Sequence, residues 1–199
     1  MTLDDEDYKF FIGFVLDVDF LEEPFRAKEI GLTSPYHTVS FSFKPPRPWT
    51  ELTEEEQLEY TSTHTVPWEA GKIDYCEIKN VFHLYRPIGF IYAKGKVKCD
   101  FFRSIFGCTV HDLEAMDCPD ASALQHLIIP EDDKENRPTC PNFPQLPKHY
   151  KTFAAINSQI YLKWLTNKIR EEPDFQPLPW VEKNRRLTLM ESFILQIAA

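Results

Sequence analysis

The sequence predicts an α/β fold: a mixed sheet of three antiparallel strands followed by parallel strands, flanked by helices. Three observations carry this prediction. The first forty or so residues are apolar segments broken only by short Glu/Pro and Ser/Pro turns. From Thr53 onward, helix signatures alternate with short apolar strands. The chain has 199 residues, 43% of them hydrophobic and 14% aromatic, enough for one core that buries roughly 70% of the extended surface.

The elements follow in order. Tyr8 to Phe20 is rich in aromatic and branched residues and apolar on both faces at its centre, the pattern of a central buried strand. Phe25 to Thr33 and His37 to Phe43 alternate, as strands with one covered face do. Pro45, Pro46 and Pro48 end that part of the sheet. Thr53 with Glu56 forms a capping box that opens a helix running to about Tyr60. A second helix is expected over 72–85, ended by Pro87, and Ile88 to Ala93 is a compact buried strand. Lys98 to Phe106 reads as a helix with Gly107 as its C-terminal cap. A brief strand over 108–111 and a short helix over 117–127 come next. Residues 130–148 hold five prolines and a run of charge, which marks an exposed loop. Tyr150 to Ile169 is the clearest helix, with Phe153, Ile156, Ile160 and Trp164 on one stripe. The last segment has an extended part, 171–180, and an amphipathic helix, 184–198, with Leu187, Met190, Phe193, Ile194 and Ile197 on its apolar side. That helix either docks on its own domain or meets a partner.

Composition narrows function. Lys plus Arg is 22 against 31 Asp plus Glu, a net charge of −9, which disfavours nonspecific nucleic-acid binding because phosphate neutralisation dominates that affinity. Six glycines and sixteen prolines exclude collagen and Gly-rich phosphate loops. No segment approaches the ~20 apolar residues of a membrane span. The start, MTLDDEDYK, lacks the basic and apolar regions of a signal peptide. Five scattered cysteines then read as free thiols in a reducing compartment. The expectation is an intracellular protein, in the cytoplasm or the nucleus, with no membrane span.

Three carboxylates stand out. Asp17 and Asp19, two residues apart at the end of the first strand, share a face. Paired acids at such a position suit Mg²⁺, which takes oxygen ligands, and a two-metal nuclease uses them to hold attacking and leaving oxygens. The alternative is an ordinary solvated strand end. Lys94, Lys96 and Lys98 read first as a solvated turn and second as phosphate contacts. Trp68 and Trp164 read first as core and second as stacking platforms for bases. Cys108 and His111 form half a zinc site, a pattern that is incidental in most sequences.

The stretch FVLDVDFLEEPFRAKEIGLTS resembles the first motif of DEDD exonucleases of the DnaQ type, and the predicted element order is that of an RNase H-like sheet. Asp17 matches the first acid, Asp19 stands where the family has Glu, and Glu29-Ile30-Gly31 matches a structural signature of the second strand. In the second motif Asp100 falls on the acid, while Gly95 and Lys96 replace His-Asn. In the third, Asn157 replaces the last metal-binding Asp and Thr152 the general-base His. His149, three residues upstream of Thr152, serves as base only in a shifted register. The resemblance implies Mg²⁺ or Mn²⁺ at Asp17, Asp19 and Asp100 if the chain is active.

A second resemblance is to the Maelstrom domain, an RNase H-like domain without the usual exonuclease acids. It rests on FKPPRPW (43–49), Trp68-Glu-Ala-Gly71, IYAKGKVK, CPDASAL (118–124) and FAAINSQIYLKW (153–164). That group carries a Cys-x-x-His…Cys zinc cluster. Here Pro141, Pro144 and Phe153 stand at those positions, with Cys140 and His149 off register, so no structural zinc is expected. No other cofactor is expected.

These residues imply one domain over 8–169, with its proline-rich loop at 130–148, and a C-terminal extension over 170–199. The leading reading is a non-catalytic RNase H-like interaction module, set by resemblance in piRNA-type transposon silencing in the germline, in perinuclear granules or the nucleus. Its expected partners are proteins bound through 171–199 or the proline-rich loop. The alternative is an active Mg²⁺-dependent 3′-5′ exonuclease or ribonuclease using Asp17, Asp19, Asp100 and His149. A third is a single-stranded RNA binder that does no chemistry.

Overall fold

In a computed structural model, residues 12–21, 26–45, 47–63, 67–83, 90–128 and 154–171 are described. The fold is α/β. Its sheet comprises β1 (Ile12–Leu21), β2 (Arg26–Thr33), β3 (Thr38–Ser42), β4 (Phe90–Ala93) and β5 (Val110–Asp112). Among the described residues there are four α-helices: α1 (Glu54–Thr63), α2 (Ile78–His83), α3 (Lys96–Phe106) and α4 (Ala154–Glu171).

Spatial order in the sheet is β3-β2-β1-β4-β5. The first three strands pair antiparallel, and β4 and β5 add parallel strands on the other side of β1. The long apolar β1 segment is therefore central, as its two-sided hydrophobicity requires.

The sheet alternation divides the core in two. Leu16, Val18, Ile30, Leu32, Ile91 and Ala93 meet Phe82 of α2 and Cys99 and Phe102 of α3 on one face. Val15, Tyr92 and Leu113 meet Ile160, Tyr161 and Leu165 of α4 on the other. Each large side chain so buried contributes about 1.5–3 kcal/mol.

Local signals explain several helix ends. Thr53 and Glu56 close the predicted capping box, with Thr53 N–H donating to Glu56 Oε2 at 2.8 Å and Glu56 N–H to Thr53 Oγ1 at 3.2 Å. The Thr53 amide, and next the Arg47 guanidinium, hold the Glu56 carboxyl below the usual carboxylate range. Helix α1 runs three residues past the expected end. Gly107 terminates α3 in the left-handed region at φ 65°, and α3 starts two residues earlier than expected because Gly95, at φ 89°, makes the turn into it.

Two expected helices are corrected. Over 72–83, the described part of the first, the chain starts extended: Ile73 bridges to Phe43 beside the end of β3, and Tyr75–Glu77 and then Ile78–His83 are helical. Over 117–127 there is no α-helix. Amides of Ala123, Leu124, Leu127 and Ile128 bond three residues back, and only Gln125–Leu127 is a 3₁₀ turn. Three-residue turns align Cys118, Ala121 and Leu124, all buried against α4. The expected strand at 108–111 lies over Val110–Asp112.

The buried face of α4 also departs from the expected stripe. Ala154, Ala155, Ser158, Ile160, Tyr161, Leu165 and Thr166 are buried, and Ile156 and Trp164 flank them. Small residues take the closest position. A Cβ on Gly31 would lie 2.4 Å from the Ala154 carbonyl carbon. Residues 129–153 and 172–199, with the expected proline-rich loop and the expected amphipathic helix, lie outside the described residues. Among the described residues, no helix is long and apolar enough to cross a membrane.

Candidate functional site

The acidic end of β1 pairs in register with β2: Asp17 opposite Gly31, Asp19 opposite Glu29. Those two β2 residues are where α4 begins. Glu29 is fully buried, and its carboxylate accepts the Ala154 N–H at 2.9 Å and the Ser40 hydroxyl at 2.7 Å. A carboxylate is a favourable partner for the first turn of a helix, whose amides have no intrahelical acceptor and carry the positive end of the dipole. Gly31 admits the helix backbone. The Glu29-Ile30-Gly31 signature thus fixes the start of α4 beside the β1 acids, and Asn157 follows in the first turn of that helix, half-buried.

Asp100 sits on α3, which covers the opposite face of the sheet from α4. Its carboxylate is held on both sides, by Lys96 Nζ at 2.6 Å and Arg103 Nη1 at 2.7 Å, one turn before and one after it. Lys96, and then Arg103, hold the Asp100 carboxyl below the usual carboxylate range. Arg103 also donates to the Val110 carbonyl at 2.6 Å, so this cation is fixed to β5.

The lysine run does not form one surface. Lys94 is largely buried and bonds Asp120 at 2.7 Å. Burial would push its ammonium down, yet the Asp120 carboxylate outweighs this and the net shift is upward. Lys96 is committed to Asp100. Lys98 lies on α3 with an interaction of its own. Gly95, which stands where the resembled motif has His, donates its N–H to Asp112 Oδ1 at 2.8 Å. Its φ of 89° is one that a side-chain-bearing residue rarely adopts.

Trp68 is core. It is buried against Tyr60, with ring centroids 5.0 Å apart, and beside Trp49 at 6.2 Å. Its indole N–H donates to the Arg47 carbonyl at 2.8 Å. The Trp49 amide donates to Glu69 Oε1 at 2.8 Å, and Arg47 pairs with Glu56. The two runs around Trp49 and Trp68 therefore form one structural unit. Lys28 anchors it to the sheet. This lysine is 2% exposed, and its ammonium donates to the carbonyls of Trp68 (2.6 Å), Ala70 (2.7 Å) and Phe43 (3.4 Å). The β1–β2 register skips Lys28, since Asp19 pairs with Glu29 and Phe20 with Ala27. Trp164 is partly buried against the α4 side of the core.

Burial pushes the Cys99 and Cys118 thiols up to about 12 and makes them poor nucleophiles at neutral pH. The thiols of Cys76 and Cys108 are exposed, and all four described cysteines are free. His111 lies beside the Phe90 and Tyr92 rings, at 5.6 and 5.5 Å. Among the described residues, no three His, Cys, Asp or Glu side chains are grouped to hold a metal ion. His149, Thr152, Phe153, Cys140, Pro141 and Pro144 lie outside the described residues.

The buried roles of Lys28 and Glu29 were not assigned from sequence. A signal existed, because Lys28 and Glu29 sit inside β2 between Ala27 and the apolar run Ile30-Gly31-Leu32. The cationic side of α4, with Lys163 and Arg170, also went unmarked, although their spacing of seven places them on one helical face. Comparison with protein-family models, with curated proteins and with solved structures finds no match to this chain.

Proposed function

We propose that this chain is a non-catalytic RNase H-like domain that acts as a protein-interaction module. The observation that carries the reading is the Asp100 carboxylate held between Lys96 and Arg103. A two-metal centre needs that charge for its cations, and here Arg103, anchored to the Val110 carbonyl, and the exposed Lys96 pair with it instead. Asn157 adds a neutral amide where the resembled exonucleases have an acid. The sheet order β3-β2-β1-β4-β5 with a final helix across β2 and β1 supports the RNase H-like assignment. The Maelstrom-like runs give the setting: a nuclear or perinuclear complex of the piRNA pathway, with protein partners.

One observation favours the second reading, an active DEDD-type exonuclease. Register places Asp17 and Asp19 beside the two β2 positions on which α4 begins. A nuclease assay on labelled single-stranded RNA and DNA with Mg²⁺ and Mn²⁺ separates the two. The interaction module gives no cleavage above the Asp17→Ala background. Metal-dependent cleavage that disappears in Asp17→Ala establishes the enzyme instead.

A further inference from the structure

A groove of about 560 Å³ lies between α4 and the turn joining β2 to β3. Its floor is apolar: Leu127, Ile128 and Leu162 line it, and all three pack half-buried against the core on that face. On one wall the Ser34 hydroxyl accepts the amides of Tyr36 at 3.2 Å and His37 at 3.1 Å. That turn holds Tyr36 at the rim with 70% of its surface exposed. The other wall is the α4 stripe from Gln159 to Arg170. Arg170 has a partner of its own, so charge does not select the occupant; shape and connectivity do.

Arg170, the last groove residue on α4, stands one position before the helix ends at Glu171. The chain that follows therefore starts at the mouth of the groove. Pro173 cannot continue a helix and biases Glu172 away from helical geometry, so the chain leaves the α4 axis there. Residues 173–180 read Pro-Asp-Phe-Gln-Pro-Leu-Pro-Trp. Three prolines in eight residues favour polyproline II, a helix of three residues per turn that rises about 3.1 Å per residue. Phe175 and Leu178, three apart, then share one side. Phe175 to Trp180 is five steps, about 16 Å in that geometry. The α4 stripe from Gln159 to Arg170 is eleven steps, about 16 Å of helix at 1.5 Å each. The other segment that leaves the groove, after Ile128, soon runs Glu131-Asp132-Asp133-Lys134-Glu135, which offers nothing to an apolar floor.

We propose that residues 173–180 of this chain dock in the groove as a polyproline II strap, with Phe175 and Leu178 on Leu127, Ile128 and Leu162 and the prolines against Tyr36. Pro-rich segments bind aromatic-rimmed grooves because their conformation is already restricted, so little entropy is lost on docking. Tethering adds to this: a ligand joined by a short linker meets its site at an effective concentration of about millimolar. The docked strap fixes where residues 181–199 leave the domain, and so where the amphipathic stretch 184–198 is presented. The inference goes beyond the functional reading and does not depend on whether the chain cleaves nucleic acid.

The test is photocrosslinking of the full chain with p-benzoylphenylalanine in place of Tyr36 on one wall and, separately, of Lys163 on the other. Both positions are exposed and outside the core. Trypsin, cleaving after Arg170 and Lys183, then releases residues 171–183 as one peptide. The expected result is that both probes join this peptide within 173–180 on the same chain, in a product that migrates as a monomer. Phe175→Asp with Leu178→Asp is expected to lower both yields at least about tenfold, because two carboxylates would enter an apolar floor. Gln176→Asp adds a carboxylate off the Phe175 and Leu178 side and is expected to leave both yields unchanged. Main products mapped to 129–153 or 181–199 overturn the proposal and assign the groove to another segment. Products that join two chains overturn it in favour of a second copy. A product from one probe only, no product, a smaller loss in the double variant, or an equal loss in Gln176→Asp also overturns it.

Discussion

The Ala154 amide donates to the Glu29 carboxylate at 2.9 Å, joining β2 to the first described residue of α4 across 125 positions of sequence. This bond, and the absence of a side chain at Gly31, set where α4 sits on the sheet. Replacing Glu29 with Ala removes the acceptor of two donors, the buried Ala154 N–H and the partly buried Ser40 Oγ–H. Each unsatisfied buried donor costs about 1–3 kcal/mol. Glu29→Ala is expected to lower stability by about 2–4 kcal/mol in urea unfolding, with Glu29→Gln losing less because an amide oxygen still accepts. Equal midpoints for wild type and Glu29→Ala would show that the bond is not formed in solution.

Gly31→Ala tests the close approach directly. The added Cβ would meet the Ala154 carbonyl carbon and oxygen and the Ala155 nitrogen, all at 2.4 Å. These are backbone atoms, so no side chain can swing away. Overpacking typically costs about 1–3 kcal/mol and occasionally more, and this site is expected at or above the top of that range. A midpoint unchanged from wild type would mean that α4 lies farther from β2.

Lys28→Met is expected to cost about 2–4 kcal/mol, because the Trp68 and Ala70 carbonyls lose a buried charged donor. The measurement is urea unfolding followed by tryptophan fluorescence. The Trp68 indole lies 5.8 Å from the Lys28 ammonium, so native emission is expected to shift as well. A variant with unchanged midpoint and emission would place Lys28 outside the carbonyl cage.

His111 gives a pH dependence with a defined sign. Burial, and then the Arg103 guanidinium, push its imidazole below 6.5. The folded state prefers the neutral ring, so below 6.5 the unfolded chain binds more protons and stability is lost as pH falls. The urea midpoint is therefore expected to drop between about pH 7 and about pH 5. His111→Gln is expected to reduce that slope. An identical slope in the variant would assign the pH dependence to other groups.

Much of the architecture was legible in the residues. The two-sided apolarity of β1 marks a central strand, and Val15 and Leu16 are both fully buried, on opposite faces. Thr53 with Glu56, and Gly107, mark helix ends through contacts a few residues long. The failures have a common cause. The helix expected over 72–85 starts late, because Ile73 bridges to Phe43, and the helix expected over 117–127 gave way to three-residue turns under α4; both departures depend on residues distant in sequence.

The candidate site divides the same way. Sequence by itself determined which chemistry-bearing side chains exist: the acids Asp17, Asp19 and Asp100, an amide at Asn157, and Gly95 and Lys96 in place of His-Asn. Only the tertiary structure decided what several of them do. It commits Asp100 to Lys96 and Arg103, Lys94 to Asp120, Trp68 to the core and Glu29 to the start of α4. The physical reason is that periodicity and capping are written in neighbouring residues, whereas the environment of a charge is set by whatever the folded chain brings within about 3 Å of it.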